Sequence, residues 1–118
     1  MRTLSSHKVN PANDVIEVAV LDGPGPGGAS HAYQVQIPGH PVVCLDFQNG
    51  PIAESGVNGI THEVLIAILV DRLEAFQKGP YACRENALAL TKLQEVQHWL
   101  HHRTLARMQR GVEGTHTV

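Results

Sequence analysis

Arg103 and Arg107 are the residues whose spacing points most directly to chemistry. Four positions apart on a helix, they set two guanidinium groups on one face, and such forks donate paired hydrogen bonds to phosphate oxygens. The same two side chains also suit the negative end of a helix dipole as solvated charges, so spacing alone leaves both readings open. Asn86 falls in the first turn of the same predicted helix, where unpaired backbone N–H groups attract anions, although an asparagine there can equally cap the backbone. Phe76 ends the preceding helix, either as a core anchor or, beside the interhelical turn, as a platform for a stacked base. His98, His101 and His102 follow at i, i+3 and i+4, and the first and last of these can reach one metal from a single helical face. No cysteine or carboxylate completes that set, so no metal site is expected. The eight histidines also have no evident Ser or Cys nucleophile to serve. Catalytic residues are therefore not expected.

These side chains depend on a hairpin of two helices for their placement. Thr61 is a plausible N-cap with Glu63 in the first turn, and the first helix runs to about Gln77, where Gly79-Pro80 stops it. Its apolar residues, from Val64 through Val70 to Leu73 and Phe76, are too widely spread for a one-sided surface helix, so it must be covered on more than one side. The second helix runs from about Arg84 to Arg110, roughly 40 Å at ~1.5 Å per residue. Leu93, Val96 and Leu100 mark its seam, with Leu90 on the shoulder, and Gly111 is well placed to end it in the left-handed conformation. Phe76 and Asn86 thus share one end of the hairpin, and Arg103 and Arg107 the other. The rise per residue separates Asn86 from Arg103 by roughly 25 Å, so one small ligand cannot use both ends of one subunit. Antiparallel packing of two hairpins would bring an aromatic ring, an amide and two arginines into one cleft, and two-fold symmetry would make two such clefts.

The first half reads differently. Residues 1–13 show no apolar periodicity and are expected to form a loose arm. Val15–Leu21, Tyr33–Ile37 and Val42–Phe47 read as three short strands, separated by the Gly- and Pro-rich stretch from Asp22 to Ser30 and by the turn Pro38-Gly39-His40-Pro41. The predicted fold is α+β: a short N-terminal antiparallel β-meander in residues 1–48, followed by a long antiparallel two-helix hairpin in residues 49–118.

Composition narrows the function classes. A chain of 118 residues is the usual size of a single domain, small enough for oligomerisation to help it. Its net charge of −2 lacks the basic excess that polymeric nucleic acid normally demands, whereas a local arginine cluster still suits a small anion. Cys44 and Cys83 are too few for a disulfide framework and fit a reducing compartment. The longest apolar run, Val64–Val70, is far short of a bilayer span, and no charged-then-apolar leader opens the chain. A soluble intracellular protein is the expectation, with neither membrane nor polymeric nucleic acid as partner.

The run Asn49-Gly-Pro-Ile52, Gly56-Val-Asn-Gly59, Asp71-Arg72-Leu73, Phe76-Gln77, Gly79-Pro80, Cys83-Arg-Glu-Asn86, Ala89-Leu90, Trp99-Leu100, Arg103-Thr104, Arg107 and Arg110-Gly-Val-Glu-Gly-Thr115 resembles the phage-encoded Thoeris anti-defence proteins of the first type. Their helical hairpin is shared with the phage sponges that counter cyclic-oligonucleotide (CBASS) immunity. The resemblance covers roughly residues 46–115; residues 1–45 match only as a short β module. It implies a non-enzymatic sponge, without cofactor, that holds glycocyclic ADP-ribose signals of TIR-domain proteins intact in the cytoplasm of the infected host. By position it implies that Phe76 stacks on adenine, that Asn86 hydrogen-bonds the ligand, and that Arg103 and Arg107 contact its phosphates from the partner chain. Relatives include binders of cyclic dinucleotides or trinucleotides that form hexamers built as trimers of dimers. Arg110, Gly111 and Glu113 are accordingly the candidate second, trinucleotide-binding site. A nucleotide hydrolase or lyase acting on such signals, and a purely structural oligomer, are the rival readings.

Overall fold

The short apolar runs of the first half become strands, and one more strand joins them. In the computed structural model, which describes residues 1–118, β1 (Arg2–Leu4), β2 (Glu17–Val20), β3 (Ala32–Gln36) and β4 (Val43–Asp46) form one sheet in the order β1-β2-β3-β4. Every neighbouring pair is antiparallel, so the meander is as expected but four-stranded. The supposed loose arm supplies β1, with Arg2 opposite Val20 and Leu4 opposite Val18, and then a short helix α1 (Pro11–Asp14) capped by the Asn10 side chain. A three-residue strand and a single helical turn are too short to show periodicity; pairing and capping, rather than pattern, create them. His7 Nε2 lies 2.6 Å from the Ile16 carbonyl oxygen and Lys8 donates to Glu17 at 2.6 Å, tying this segment to β2.

The chain divides into two compact units, Met1–Gly50 with Val57–Ile60, and Pro51–Gly56 with Thr61–Val118. In the first, Ala19 and Val20 are buried, and because neighbouring strand residues point to opposite faces, β2 is covered on both sides there. Tyr33 meets Phe47 edge-on, with ring centroids 5.5 Å apart. The Gly/Pro-rich loop between β2 and β3 is closed at its base by Asp22. The Asp22 carboxylate accepts from the backbone N–H of His31 at 3.0 Å and of Ala32 at 2.9 Å, while Ser30 Oγ donates to the Asp22 carbonyl. The Ala32 N–H is the chief cause of a carboxyl held below its ordinary range, outweighing the opposing effect of partial burial, with His31 helping.

Asn-Gly pairs commonly form turns, and here Asn49-Gly50 and Asn58-Gly59 have a more specific use. Asn58 accepts from the Asn49 N–H at 2.8 Å and donates to the Asn49 carbonyl at 2.7 Å, and its own N–H donates to Gln48 Oε1 at 3.0 Å. Gly59 lies against backbone: a Cβ there would sit 2.5 Å from the Phe47 carbonyl carbon and 2.6 Å from the Asp46 oxygen. Only glycine fits so close a backbone approach.

The second unit contains α2 (Ile52–Ser55), α3 (His62–Gln77) and α4 (Arg84–Gln109), with α3 and α4 packed as a hairpin. Thr61 caps α3 as expected, its hydroxyl accepting from the Val64 N–H at 3.3 Å. Along α4 the half-buried positions include Asn86, Leu90, Leu93, Gln97, Leu100, Thr104 and Arg107, in alternating steps of four and three. The seam therefore runs through Leu90, Leu93 and Leu100 but not Val96, which is exposed. Gln97 and Thr104 share the seam, and polar members of a packed stripe are invisible to a search for apolar periodicity. No helix is long and apolar enough to cross a membrane.

Candidate ligand-binding site

The two arginines that sequence spacing pairs are in different environments. Arg103 is exposed, and its guanidinium has no hydrogen-bond or ion-pair partner within the chain. Arg107 lies on the seam side of α4 with its side chain only 12% exposed, and its fork is largely occupied. Its Nε donates to Glu113 Oε2 at 3.2 Å, and its Nη2 donates to the carbonyls of Val112 at 2.9 Å and Thr115 at 3.3 Å. These acceptors come from the turn that ends the helix. Arg110 is the C-cap and Gly111 takes φ +73°, so that Val112 N–H reaches the Arg107 carbonyl and Gly111 N–H reaches that of Met108. This is the paired 6→1 and 5→2 bonding of a Schellman cap, which only a residue at ease with positive φ initiates cheaply.

The same turn holds the other second-site candidates. Arg110 Nη2 donates to the Val118 carbonyl at 2.8 Å, and Glu113 is the anion paired with Arg107. Beyond it, the Ala53 N–H of α2 donates to the Gly114 carbonyl at 3.0 Å, and His116 Nδ1 lies 3.3 Å from Glu54 Oε2. The short helix α2 is thereby joined to the segment that follows α4.

At the opposite end of α4, the first turn is less bare than its sequence suggests. Cys83 is the N-cap, and its sulfur accepts from the Asn86 N–H at 3.4 Å, while the Cys83 N–H donates to Gln77 Oε1 at 3.1 Å. Asn86 itself is half-buried on the seam, its side chain free of any partner in the chain. Phe76 is 39% exposed, and the Arg72 guanidinium lies 5.7 Å from its ring centroid, one helical turn earlier. Such a contact restricts the ring and places a cation beside it. Phe76 and Asn86 therefore flank the interhelical turn, whereas Arg103 and Arg107 lie roughly 25 to 32 Å further along the continuous rod of α4.

Sequence reasoning missed Arg72, Gln77 and the cap role of Cys83. An i, i+4 Arg–Phe pair could have flagged the first; nothing in the sequence marks a thiol as the acceptor at a helix start. The histidines, by contrast, gather around an aromatic ring. His98 meets Trp99 at 5.5 Å and Trp99 meets His102 at 5.8 Å, both edge-on, while His98 and His102 stack at 6.5 Å. No group of three or more His, Cys, Asp or Glu side chains is arranged to hold a metal ion.

Residues 45–105 match the family described as Acb2/Tad1, hairpin domain. The chain is also 48% identical over 92 residues to Thoeris anti-defense 1 of Bacillus phage SBSphiJ7, a match covering 78% of this chain and 65% of the relative's length. The matched hairpin includes α3, most of α4, and with them Phe76, Asn86 and Arg103. On this match, the chain belongs to the Acb2/Tad1 hairpin-domain family.

Proposed function

We propose that this chain is a non-enzymatic, phage-encoded sponge for cyclic nucleotide immune signals, glycocyclic ADP-ribose foremost, that blocks anti-phage defence in the host cytoplasm. Cyclic di- or trinucleotides are the wider ligand class. The supporting observation is the arginine pair of α4: Arg107 is already oriented by three donated bonds, and Arg103, one turn away, is exposed and unpaired. Family membership and the name of the phage relative support the same reading. Arg103 and Arg107 bind phosphate oxygens, Phe76 stacks on a base, and Asn86 hydrogen-bonds the ligand. Because one rod separates the two groups, a second copy of the chain supplies the arginines to the Phe76–Asn86 end. A homodimer is the minimal unit and a trimer of dimers the larger one.

Sequestration without turnover demands tight binding, on the order of 1 nM or about −12 kcal/mol. Hydrogen bonds to charged phosphate contribute about 1.5 to 3 kcal/mol each, so several must act together in a preorganised cleft. The turn's own candidacy for a cyclic trinucleotide rests on Arg110 and on the open backbone at Gly111, where a Cβ would meet nothing within 4 Å.

Calorimetric titration with glycocyclic ADP-ribose isomers, cyclic dinucleotides and cyclic trinucleotides tests the proposal, followed by heat denaturation and analysis of the released ligand. A sponge binds and returns the molecule intact. Recovery of a cleaved product assigns the protein to hydrolases or lyases, and absence of binding by every member of the panel assigns it a structural role.

A further inference from the structure

We infer that Glu113 is a positioning residue for the phosphate site, acting through Arg107; this rests on the sponge reading above. A guanidinium has five N–H donors in a rigid fork. In Arg107, Nε donates to Glu113 and Nη2 to two backbone carbonyls, leaving the two hydrogens of Nη1 without a partner in the chain. The fork is thus fixed on one edge and available on the other. Three acceptors surround the fixed edge, but only Glu113 meets Nε, the atom that sets the plane of the group relative to its stem.

The backbone reinforces this geometry. The Val112 N–H donates to the Arg107 carbonyl at 3.0 Å while the Val112 carbonyl accepts from Arg107 Nη2, so residue 107 is gripped at both its main chain and its side chain. Thr115 closes the turn, its hydroxyl donating to the same Val112 carbonyl at 2.5 Å. An arginine held in this way loses little freedom when it meets a phosphate, whereas a free side chain forfeits rotamer entropy on binding. Glu113 has a second, opposing effect: its negative charge lies close to where a phosphate would sit. A variant that keeps the acceptor and removes the charge separates the two.

Glu113→Gln and Glu113→Ala both remove the charge, but only glutamine keeps an oxygen for Nε. The ratio of their dissociation constants for glycocyclic ADP-ribose, measured calorimetrically on the full chain, therefore isolates the bond. Glu113→Ala is expected to bind about fivefold more weakly than Glu113→Gln. In an Arg107→Ala background that ratio is expected to fall to about one, because the residue being positioned is gone. Equal affinities of the two variants with Arg107 present overturn the inference, and so does a ratio that persists in the Arg107→Ala background, since Glu113 would then act on the ligand or the fold directly. Failure of the unaltered chain to bind any isomer sinks the sponge reading itself, a result distinct from either.

Discussion

Arg103 and Arg107 look equivalent by spacing and differ in what their removal does. Arg103 has no partner in the chain, so Arg103→Ala should weaken glycocyclic ADP-ribose binding about tenfold or more while leaving the melting temperature unchanged. Arg107→Ala should weaken binding comparably and also lower stability by roughly 1 kcal/mol, because Glu113 and the Thr115 carbonyl lose their Arg107 donor and the Val112 carbonyl keeps only its two donors from Thr115. Paired calorimetry and thermal melts distinguish the two; an unaltered melt for Arg107→Ala would deny the turn its dependence on that side chain. Asp22 provides a test by pH. Its carboxyl is held below the ordinary range, so the ionised form is favoured by folding; its contribution is complete above the unfolded aspartate range and is lost as the pH falls through the lower, folded value. Asp22→Asn should accordingly be less stable than the parent at pH 7, with the gap narrowing below about pH 4 in denaturant titrations. A gap independent of pH would assign the effect to shape rather than charge.

The helices and strands were accessible from sequence to the extent that their signals are local. Thr61, Gly79-Pro80 and Gly111 mark the ends of α3 and α4 because a side-chain cap, a proline that cannot continue a helix and a positive φ each need those residue types, and the structure ends the helices there. β1, α1 and α2 were hidden because each is shorter than the pattern that would reveal it, and the cap at Cys83 was hidden because a thiol is an uncommon acceptor. Of the candidate site, residue types and axial spacing were readable; that Arg107 is clasped and Arg103 is not depends on the fold of the turn, which spacing does not encode. The Asn58–Gly59 pair shows the same limit, since its turn signal concealed a backbone contact. Gly59→Ala should cost about 1 to 3 kcal/mol, since the atoms its Cβ would strike are backbone and cannot move aside as a side chain could. A chemical denaturation midpoint equal to that of the parent would contradict so close an approach.

Taken as a unit, the hairpin buries little of its own apolar surface. Val70 is its one buried core residue, whereas Val64, Ile68 and Leu69 on α3 and Leu88, Val96, Trp99, Leu105 and Met108 on α4 are exposed, Trp99 to 65%. Isolated apolar side chains on a surface are ordinary, but this many on two packed helices give a second copy of the hairpin apolar surface to cover. A second copy of the hairpin would cover part of this surface and at the same time bring the arginines of one chain to the Phe76–Asn86 end of another, so assembly and ligand binding would depend on the same contact. The melting temperature should then rise with protein concentration, as association stabilises by mass action. Ile68→Glu, placing a charge on the exposed side of α3, should weaken self-association by about 10- to 100-fold in sedimentation equilibrium, the loss expected from removing one buried aliphatic side chain. Ligand affinity should fall with it, since a cleft shared between copies is incomplete in either alone. A chain that sediments as a monomer at every concentration yet binds glycocyclic ADP-ribose at nanomolar strength would place all the ligand contacts within one copy, contrary to the separation that α4 imposes.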